Sequence, residues 1–229
     1  ILDVATGTGE PGLTLAARVP QGEVTGTDLS EGMLRTAEAN AAAKGLANFR
    51  TQTADVCALP FPGAAFDAVS CRMGFMFFPD MALAAREMAR VLMPGGKFAT
   101  TVWAAKERNP WMTTLLGSLS RILELPPPAP EAPGLFRCAG PGQLRALLQG
   151  AGFQEIAERE IAGEVVYGSA EHYWSIMNEV SGSASALLAK ADPAKREQIR
   201  REVFAQIAKR APFGPVRFEY AAILATARK

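Results

Sequence analysis

The 229-residue sequence has few of the residues that build metal centres and disulfide frameworks. It contains one histidine and three cysteines, and Cys57, Cys71 and Cys138 lie far apart in the chain. An odd number of widely spaced cysteines is not the pattern of a disulfide framework or of a zinc site. We therefore expect reduced thiols, no metal centre and a cytoplasmic location.

An excess of charge and long apolar runs are lacking as well. Lys and Arg number 24 and Asp and Glu 23, which gives a formal net charge of +1. No overall field therefore attracts nucleic acid or an anionic membrane surface. No apolar run approaches the length of a membrane span, and no signal peptide or Ser-His-Asp set is visible. We expect a small-molecule partner, no nucleic acid and no membrane-spanning segment.

The most informative stretch that is present is Ile1–Gly12, ILDVATGTGEPG. Its first residues are apolar and favour a buried strand, and Gly7 and Gly9 can adopt positive φ and admit a ligand close to the backbone. Leu13–Ala17 then continues as a helix. A strand, a glycine turn and a helix N-terminus together form a cradle for a small ligand at the carboxyl edge of a parallel sheet.

Two classes of cofactor use such a cradle. Gly7–Gly12 matches the dinucleotide fingerprint, and Asp28 lies at the spacing of a ribose-binding acid. Two carboxylates argue against a dinucleotide, because Asp3 interrupts the apolar strand and Glu10 lies in the first helical turn. A pyrophosphate there would meet a like charge, at a cost on the order of 1 kcal/mol. A cationic ligand without phosphate meets no such penalty, and a nicotinamide-dependent oxidoreductase stays as an alternative.

The same segment resembles the first motif of class I S-adenosylmethionine-dependent methyltransferases, an acid-x-Gly-x-Gly-x-Gly loop after the first strand. Asp3, Gly7 and Gly9 match, and Ala5 replaces the first glycine. The spelling DVA-x-GTG resembles the branch that contains the C-methyltransferases of ubiquinone and menaquinone biosynthesis. The resemblance covers about the first hundred residues. It implies S-adenosylmethionine as the cofactor and a small-molecule methyl acceptor, and a protein that binds S-adenosylmethionine without turnover is the second alternative.

The resemblance also implies roles for residues that follow successive strands. The acid at the position of Asp28 accepts hydrogen bonds from both ribose hydroxyls in the resembled family, and Asp55 matches the acceptor of the adenine amino group. A solvated turn acid and an ordinary loop acid are the respective alternatives. Arg72 directly follows the fourth strand and is also a candidate catalytic residue. The predicted cofactor site comprises Asp3, Ala5, Thr6, Gly7, Thr8, Gly9, Asp28, Leu29, Met33, Asp55, Val56, Cys71, Arg72 and Met73.

The only histidine, His172, lies in a predicted helix, Ser169–Val180. An imidazole with an ordinary pKa near 6.5 can act as a general base for an oxygen or nitrogen acceptor at physiological pH. His172 is therefore a candidate catalytic residue. The alternative is that it borders the packed helix face that carries Tyr173 and Trp174.

The order of the elements predicts an α/β fold. We expect a Rossmann-like, seven-stranded, mostly parallel sheet with helices on both faces and a small helical cap. The apolar stretch Phe66–Cys71 is typical of a strand buried on both faces. We expect a single domain, residues 1–229, with a cofactor-binding half at 1–103, a substrate-side half at 104–229 and cap helices at about 169–210. The chain begins without Met inside the ligand strand, so we also expect an N-terminal segment to be missing.

Three further segments carry expectations. Most of the apolar run Phe75–Phe78 is expected to pack in the core. Pro94–Gly96 is expected to separate a helix from a strand at Lys97–Trp103. The proline-rich stretch 126–133 is expected to be an ordered loop, and a peptide-recognition segment is the alternative.

Overall fold

The computed structural model describes residues 1–127, 129 and 131–229, without the side chain of Ser183. The expected proline-rich loop falls partly on Pro128 and Pro130, which lie outside the described residues. The chain divides into two compact units. Unit 1 comprises Ile1–Trp103, Glu131–Glu160 and Ala222–Lys229, and unit 2 comprises Ala104–Pro130 and Ile161–Ala221. The expected single domain with its two halves stays a prediction.

Strands and helices alternate along most of the chain. The strands are β1 (Leu2–Val4), β2 (Val24–Asp28), β3 (Phe49–Thr53), β4 (Phe66–Arg72), β5 (Leu92–Trp103), β6 (Gln154–Tyr167) and β7 (Val216–Arg228). The α-helices are α1 (Gly12–Arg18), α2 (Glu31–Ala43), α3 (Met81–Val91), α4 (Pro110–Ile122), α5 (Gln143–Gly150), α6 (Ala170–Val180), α7 (Gly182–Lys190) and α8 (Pro193–Arg210).

The strands form one sheet in the order β3-β2-β1-β4-β5-β7-β6. β1 is parallel to β2 and β4, and β3 and β5 continue the parallel pairing on either side. β7 is antiparallel to β5. The predicted seven-stranded, mostly parallel sheet is confirmed. Its strand order reverses direction between β1 and β4, and ligands of open α/β sheets bind at the carboxyl ends of strands at such a point.

Both faces of the sheet in unit 1 carry helices, as predicted. Leu2, Val69 and Phe98 are neighbours across β1, β4 and β5, and all three are buried in one core with α3 and α5. Burial of each such side chain stabilises the fold by about 1.5–3 kcal/mol. On the opposite face, Val24 and Phe49 pack against buried residues of α1 and α2. The residues near Asp3 therefore lie between the sheet and α1.

Short polar side chains fix where several helices begin. The Ser30 hydroxyl accepts from the Met33 amide at 3.3 Å and caps α2. The Asp80 carboxylate accepts from the Leu83 amide at 2.8 Å and caps α3. Such caps contribute about 1 kcal/mol each and satisfy amides that have no partner within the helix. They place the starts of α2 and α3 at the carboxyl edge of the sheet.

One local expectation needs correction, and another is confirmed. β5 begins at Leu92 rather than at Lys97, because Leu92 already pairs with Phe66, and a register shift opposite Asp67 accommodates the intervening residues of β5. Gly95 adopts φ +74 within this irregular stretch. Most of the run Phe75–Phe78 packs in the core, as expected: three of its side chains are buried, and Phe77 is 47% exposed.

Unit 2 has a core of its own. Ile199, Val203 and Ile207 form the buried stripe of α8 and pack in this core. Tyr173 of α6 is fully buried, and its hydroxyl donates to the Trp111 carbonyl at 2.8 Å. No helix among the described residues combines the length and apolar character that crossing a membrane requires.

Candidate functional site

Four neighbouring strands bring most of the predicted site residues to one edge of the sheet. Val4 pairs with Thr27, and Asp28 pairs with Thr53, in parallel register. Because parallel strands end at the same edge, the residues that follow β3, β2, β1 and β4 lie side by side there. The strand ends therefore bring together Asp55, Asp28, the loop 5–9 and Arg72–Met73, as the sequence predicts.

The loop after β1 has an unusual backbone. Ala5, Gly7 and Gly9 adopt φ values of 54, 55 and 112. A Cβ at Gly9 would lie 2.6 Å from Leu13 Cδ1, so this glycine is required by close packing. A Cβ at Gly7 would meet nothing within 4 Å. Gly7 thus combines a left-handed backbone with open space, which is the arrangement that lets a ligand approach the main chain.

Asp3 braces this loop from inside. Its carboxylate is fully buried and accepts hydrogen bonds from the Thr6 hydroxyl at 2.6 Å, the Gly12 amide at 3.0 Å and the Ser70 hydroxyl at 2.6 Å. Burial raises the pKa of Asp3 to about 6, although these three hydrogen bonds oppose the shift. The sequence placed Asp3 in the cofactor site, and the structure shows a carboxylate that faces the loop's own framework.

Further contacts from the end of β2 and from α2 hold the loop. Asp28 accepts from the Gly7 amide at 3.0 Å through one oxygen and from the Ser30 amide at 2.9 Å through the other. Asn40 donates to the Thr8 carbonyl at 3.0 Å. No local signal identified Asn40, because it lies 32 residues from Thr8 in the chain.

A nearby cation offsets the negative charge with which Glu10 would repel a phosphate group. Its carboxylate lies 2.9 Å from the Lys44 ammonium and accepts from the Thr14 hydroxyl at 2.6 Å. Because Lys44 offsets much of the local negative charge, the like-charge argument against a pyrophosphate at this helix loses most of its weight. The choice between the two cofactor classes therefore depends on other features.

The surroundings of Asp28 fit a nucleoside. Leu29, the next residue in the chain, is 68% exposed, and Met33 in the first turn of α2 is 47% exposed. Each Asp28 oxygen accepts one backbone amide and retains a lone pair for a further donor such as a ribose hydroxyl. Exposed apolar side chains beside a carboxylate suit a ligand that joins a flat ring to a diol.

Other predicted site residues turn their side chains inward. Thr6 is buried beside Asp3, and Val56 and Cys71 belong to the core with α3. Burial raises the pKa of the Cys71 thiol to about 12. Asp55 is exposed, and its Oδ1 accepts from the Cys57 amide at 2.9 Å. Of these four, only Asp55 presents its side chain at the surface.

The end of β4 lies against the glycine loop. Met73 has φ 59 and donates its amide to the Thr101 carbonyl at 2.9 Å. A Cβ at Gly74 would lie 3.0 Å from Ala5 Cβ and 2.7 Å from Cys71 Sγ, so no larger residue fits without displacement. Ala5 and Met73 are thus two left-handed residues other than glycine on adjacent strand ends, and such strain clusters at functional sites. Arg72 is exposed.

His172 belongs to unit 2, whereas the strand ends belong to unit 1. Its side chain is exposed, and its Nδ1 accepts from the Gly168 amide at 3.1 Å. An Nδ1 that accepts leaves the proton of the neutral ring on Nε2. His172 in this state supports the start of α6, and its role as a general base stays a prediction.

Replacing Ala5 with glycine should stabilise the protein. A left-handed backbone costs a residue other than glycine about 1–2 kcal/mol, and glycine loses only about 0.5–1 kcal/mol through its more flexible unfolded state. Urea unfolding of Ala5→Gly should therefore show a free energy of unfolding up to about 1 kcal/mol higher. Ala17→Gly, on the exposed side of α1, is the control and should lower it. A loss of stability in Ala5→Gly equal to that control would contradict the strained conformation.

Replacing Asp3 with asparagine should flatten the dependence of stability on pH. The unfolded chain ionises near the ordinary value of 3.8, whereas the folded protein holds the Asp3 proton up to about pH 6. Stability should therefore fall as the pH rises between these values, by at most about 1.4 kcal/mol per pH unit, and stay level above them. Urea titrations across this range measure the slope, and Asp3→Asn should lose it. The exposed Asp67→Asn is the control, and an unchanged slope in Asp3→Asn would disprove the assignment.

The comparisons with known proteins agree with this geometry. A family described as a methyltransferase domain matches residues 1–96. A demethylmenaquinone methyltransferase of Thermus thermophilus is 42% identical over 135 residues, which are 59% of this chain and 51% of that protein. The nocamycin O-methyltransferase of Saccharothrix syringae is 29% identical over an alignment of 243 residues. The alignment covers 100% of this chain and 84% of that protein.

A solved structure shows the same fold. The YcgJ protein of Bacillus subtilis matches with a TM-score of 0.60 and 22% identity over 100% of this chain and 90% of its own. The chain spans about half the length of the Thermus relative that it matches. Residues 1–96 match the methyltransferase-domain family, and the chain is similar to the class I S-adenosylmethionine-dependent methyltransferases of quinone biosynthesis.

Proposed function

We propose that this chain transfers a methyl group from S-adenosylmethionine to a small-molecule acceptor. The observation that carries the proposal is the Asp28 carboxylate, which accepts from the amide at the open position Gly7 and is followed in the chain by the exposed Leu29 and Met33. A carboxylate for a diol, apolar cover for a ring and an accessible main chain suit a nucleoside that carries no phosphate. The family match to residues 1–96 supports the same cofactor.

Individual residues have separate tasks in this proposal. Asp28 accepts the ribose hydroxyls with the lone pairs that its two backbone contacts leave over. Leu29 and Met33 cover the adenine ring, and Asp55 receives its amino group. Gly7 allows the rest of the cofactor to lie against the loop. Asp3 contributes indirectly, because it holds that loop in place.

The chemistry asks little of the protein beyond alignment. When bound, S-adenosylmethionine supplies a methyl group that is already electrophilic, since it is attached to a sulfonium sulfur. The chain must then hold the acceptor atom in line with that methyl group and exclude water. The strand ends offer a rigid base for this, because Asp28 fixes the glycine loop and Thr101 fixes Met73.

The acceptor is proposed to be a largely apolar small molecule. Two relatives bear names that refer to demethylmenaquinone and to nocamycin. At the end of β4, the partly exposed Phe77 offers an apolar surface to such a molecule. We also propose a reducing, cytoplasmic location, which the free thiols of Cys57, Cys71 and Cys138 support.

Titration calorimetry with Asp28→Asn tests the cofactor site. Loss of hydrogen bonds to a charged acceptor costs about 1.5–3 kcal/mol, so the affinity for S-adenosylmethionine should fall at least tenfold. The exposed Asp67→Asn, at the opposite end of β4, should bind as the parent does. If the parent protein binds NAD as tightly as S-adenosylmethionine, the oxidoreductase alternative is favoured and the proposal fails.

Methyl transfer is measured with a labelled methyl donor. The parent protein should label at least one member of a panel of demethylmenaquinone in its reduced form, other quinols, phenols and amines. Tight binding of S-adenosylmethionine with no transfer to any of them would favour a binding protein without turnover. These two outcomes separate the proposed enzyme from its second alternative.

His172→Ala decides whether this residue is a base. A general base contributes about 10² to 10⁴ in rate, so its loss should lower turnover at least a hundredfold with unchanged cofactor affinity. The Nδ1 contact with Gly168 predicts a different result if the residue is structural, namely turnover within threefold of the parent and a small loss of stability. His172→Gln, which can still accept at this position, is the matched control for the structural role.

A further inference from the structure

The loop after β4 is held by hydrogen bonds from a later segment of the chain, which contains Gly134 and Arg137. The Gly134 amide donates to the Met76 carbonyl at 3.0 Å, and Arg137 Nη1 donates to the Phe78 carbonyl at 2.5 Å. A longer contact of 3.5 Å joins Arg137 Nη2 to the Pro79 carbonyl. All of these residues belong to unit 1. The loop is thus held at three successive points along its backbone.

Arg137 is buried in an uncommon way. Its side chain is only 7% exposed, and its nearest carboxylate, Glu131, is 3.9 Å away and 91% exposed. Its buried Nε has no hydrogen-bond partner among the described residues. A buried guanidinium group normally pairs with a carboxylate, since burial of an unpaired charge is costly. Here the charge is directed at backbone carbonyls, so its main contribution is to the position of the loop.

Phe77 lies between Met76 and Phe78, whose carbonyls accept the hydrogen bonds from Gly134 and Arg137. Its neighbours Met76 and Phe78 are 0% and 8% exposed, but Phe77 is 47% exposed. A hydrogen bond from the Phe77 amide to the Gly74 carbonyl closes the turn at 2.9 Å. Gly74 in turn abuts Ala5 of the glycine loop. An aromatic side chain is therefore exposed on a fixed turn that begins at the candidate site.

We propose that Phe77 is a specificity-determining residue that contacts the methyl acceptor, and that Arg137 is the positioning residue that presents it. The inference rests on the function proposed above. The acceptor class that an exposed aromatic ring favours is a planar, apolar or aromatic molecule. Arg137 acts through the Phe78 and Pro79 carbonyls and makes no contact with the acceptor in this proposal.

A double-mutant cycle tests both roles in the full chain, with the best acceptor found in the labelled-methyl assay. Phe77→Ala and Arg137→Met should each lower kcat/KM for the acceptor at least tenfold, chiefly through KM, and change the dissociation constant of S-adenosylmethionine less than threefold. In the Phe77→Ala background, Arg137→Met should lower kcat/KM by less than a further threefold, because its effect passes through Phe77. Arg137→Lys, which keeps one donor for the carbonyls, should restore part of the loss.

Arg145→Met is the matched control. Arg145 also donates to a backbone carbonyl, that of Ile156 at 2.7 Å, but it holds β6 and not the loop after β4. The Arg145→Met variant should keep kcat/KM for the acceptor within threefold of the parent's value. Losses that multiply fully in the double variant, or an Arg145→Met loss as large as that of Arg137→Met, would overturn the inference. Should Arg137→Met not fold, Arg137→Lys takes its place in the cycle: it should lower kcat/KM measurably by itself and have no further effect in the Phe77→Ala background, and an equal loss in both backgrounds would overturn the inference.

Failure of the proposed function has a different signature. The parent protein would then bind no S-adenosylmethionine or label no acceptor, whereas failure of this inference leaves the parent active and the cycle additive. Hydrogen exchange provides a readout that does not depend on turnover. The amides of Phe77 and Phe78 should exchange at least tenfold faster in Arg137→Met and be unchanged in Arg145→Met. Equal exchange in both variants would show that Arg137 does not position the loop.

Discussion

The architecture of the site depends on one buried carboxylate. Asp3 accepts hydrogen bonds from Thr6 in the loop, Gly12 in α1 and Ser70 in β4, so a single side chain joins three elements. Its burial is costly, as the pKa of about 6 shows, and the three donors offset much of that cost. Loss of any donor would leave the charge less compensated. The loop, the helix and the strand are therefore constrained to keep their relative positions.

Contacts from β2 and α2 complete the constraint on the same loop. Asp28 holds the Gly7 amide, and Asn40 holds the Thr8 carbonyl, so contacts within the chain itself fix the loop backbone. A ligand that binds a preorganised loop does not have to offset the entropy of ordering it. The left-handed Ala5 fits this picture, because strain persists only where the surrounding contacts determine the conformation.

Features that depend on neighbours in the chain could be predicted, and features that depend on distant partners could not. Ser30 caps α2 through the amide three residues on, and the strand, glycine loop and helix are equally local. The bracing role of Asp3 depends on Ser70, 67 residues away. Likewise, an apolar run gives no sign that Phe77 alone is exposed, since its environment is fixed by Arg137 through a carbonyl 59 residues distant in sequence.

Two arginines fix the loops that follow β3 and β4 through main-chain carbonyls. Arg90 donates to the Leu59 carbonyl at 2.9 Å and the Phe61 carbonyl at 2.8 Å, and Arg137 donates to that of Phe78. The planar fork of a guanidinium group suits this task, because it can serve two acceptors at once. Carbonyl acceptors belong to every residue, so the hold does not depend on the side chains of the loops. Those side chains can therefore vary on a fixed backbone, and in the proposed enzyme the choice of acceptor would follow from which of them the loops expose.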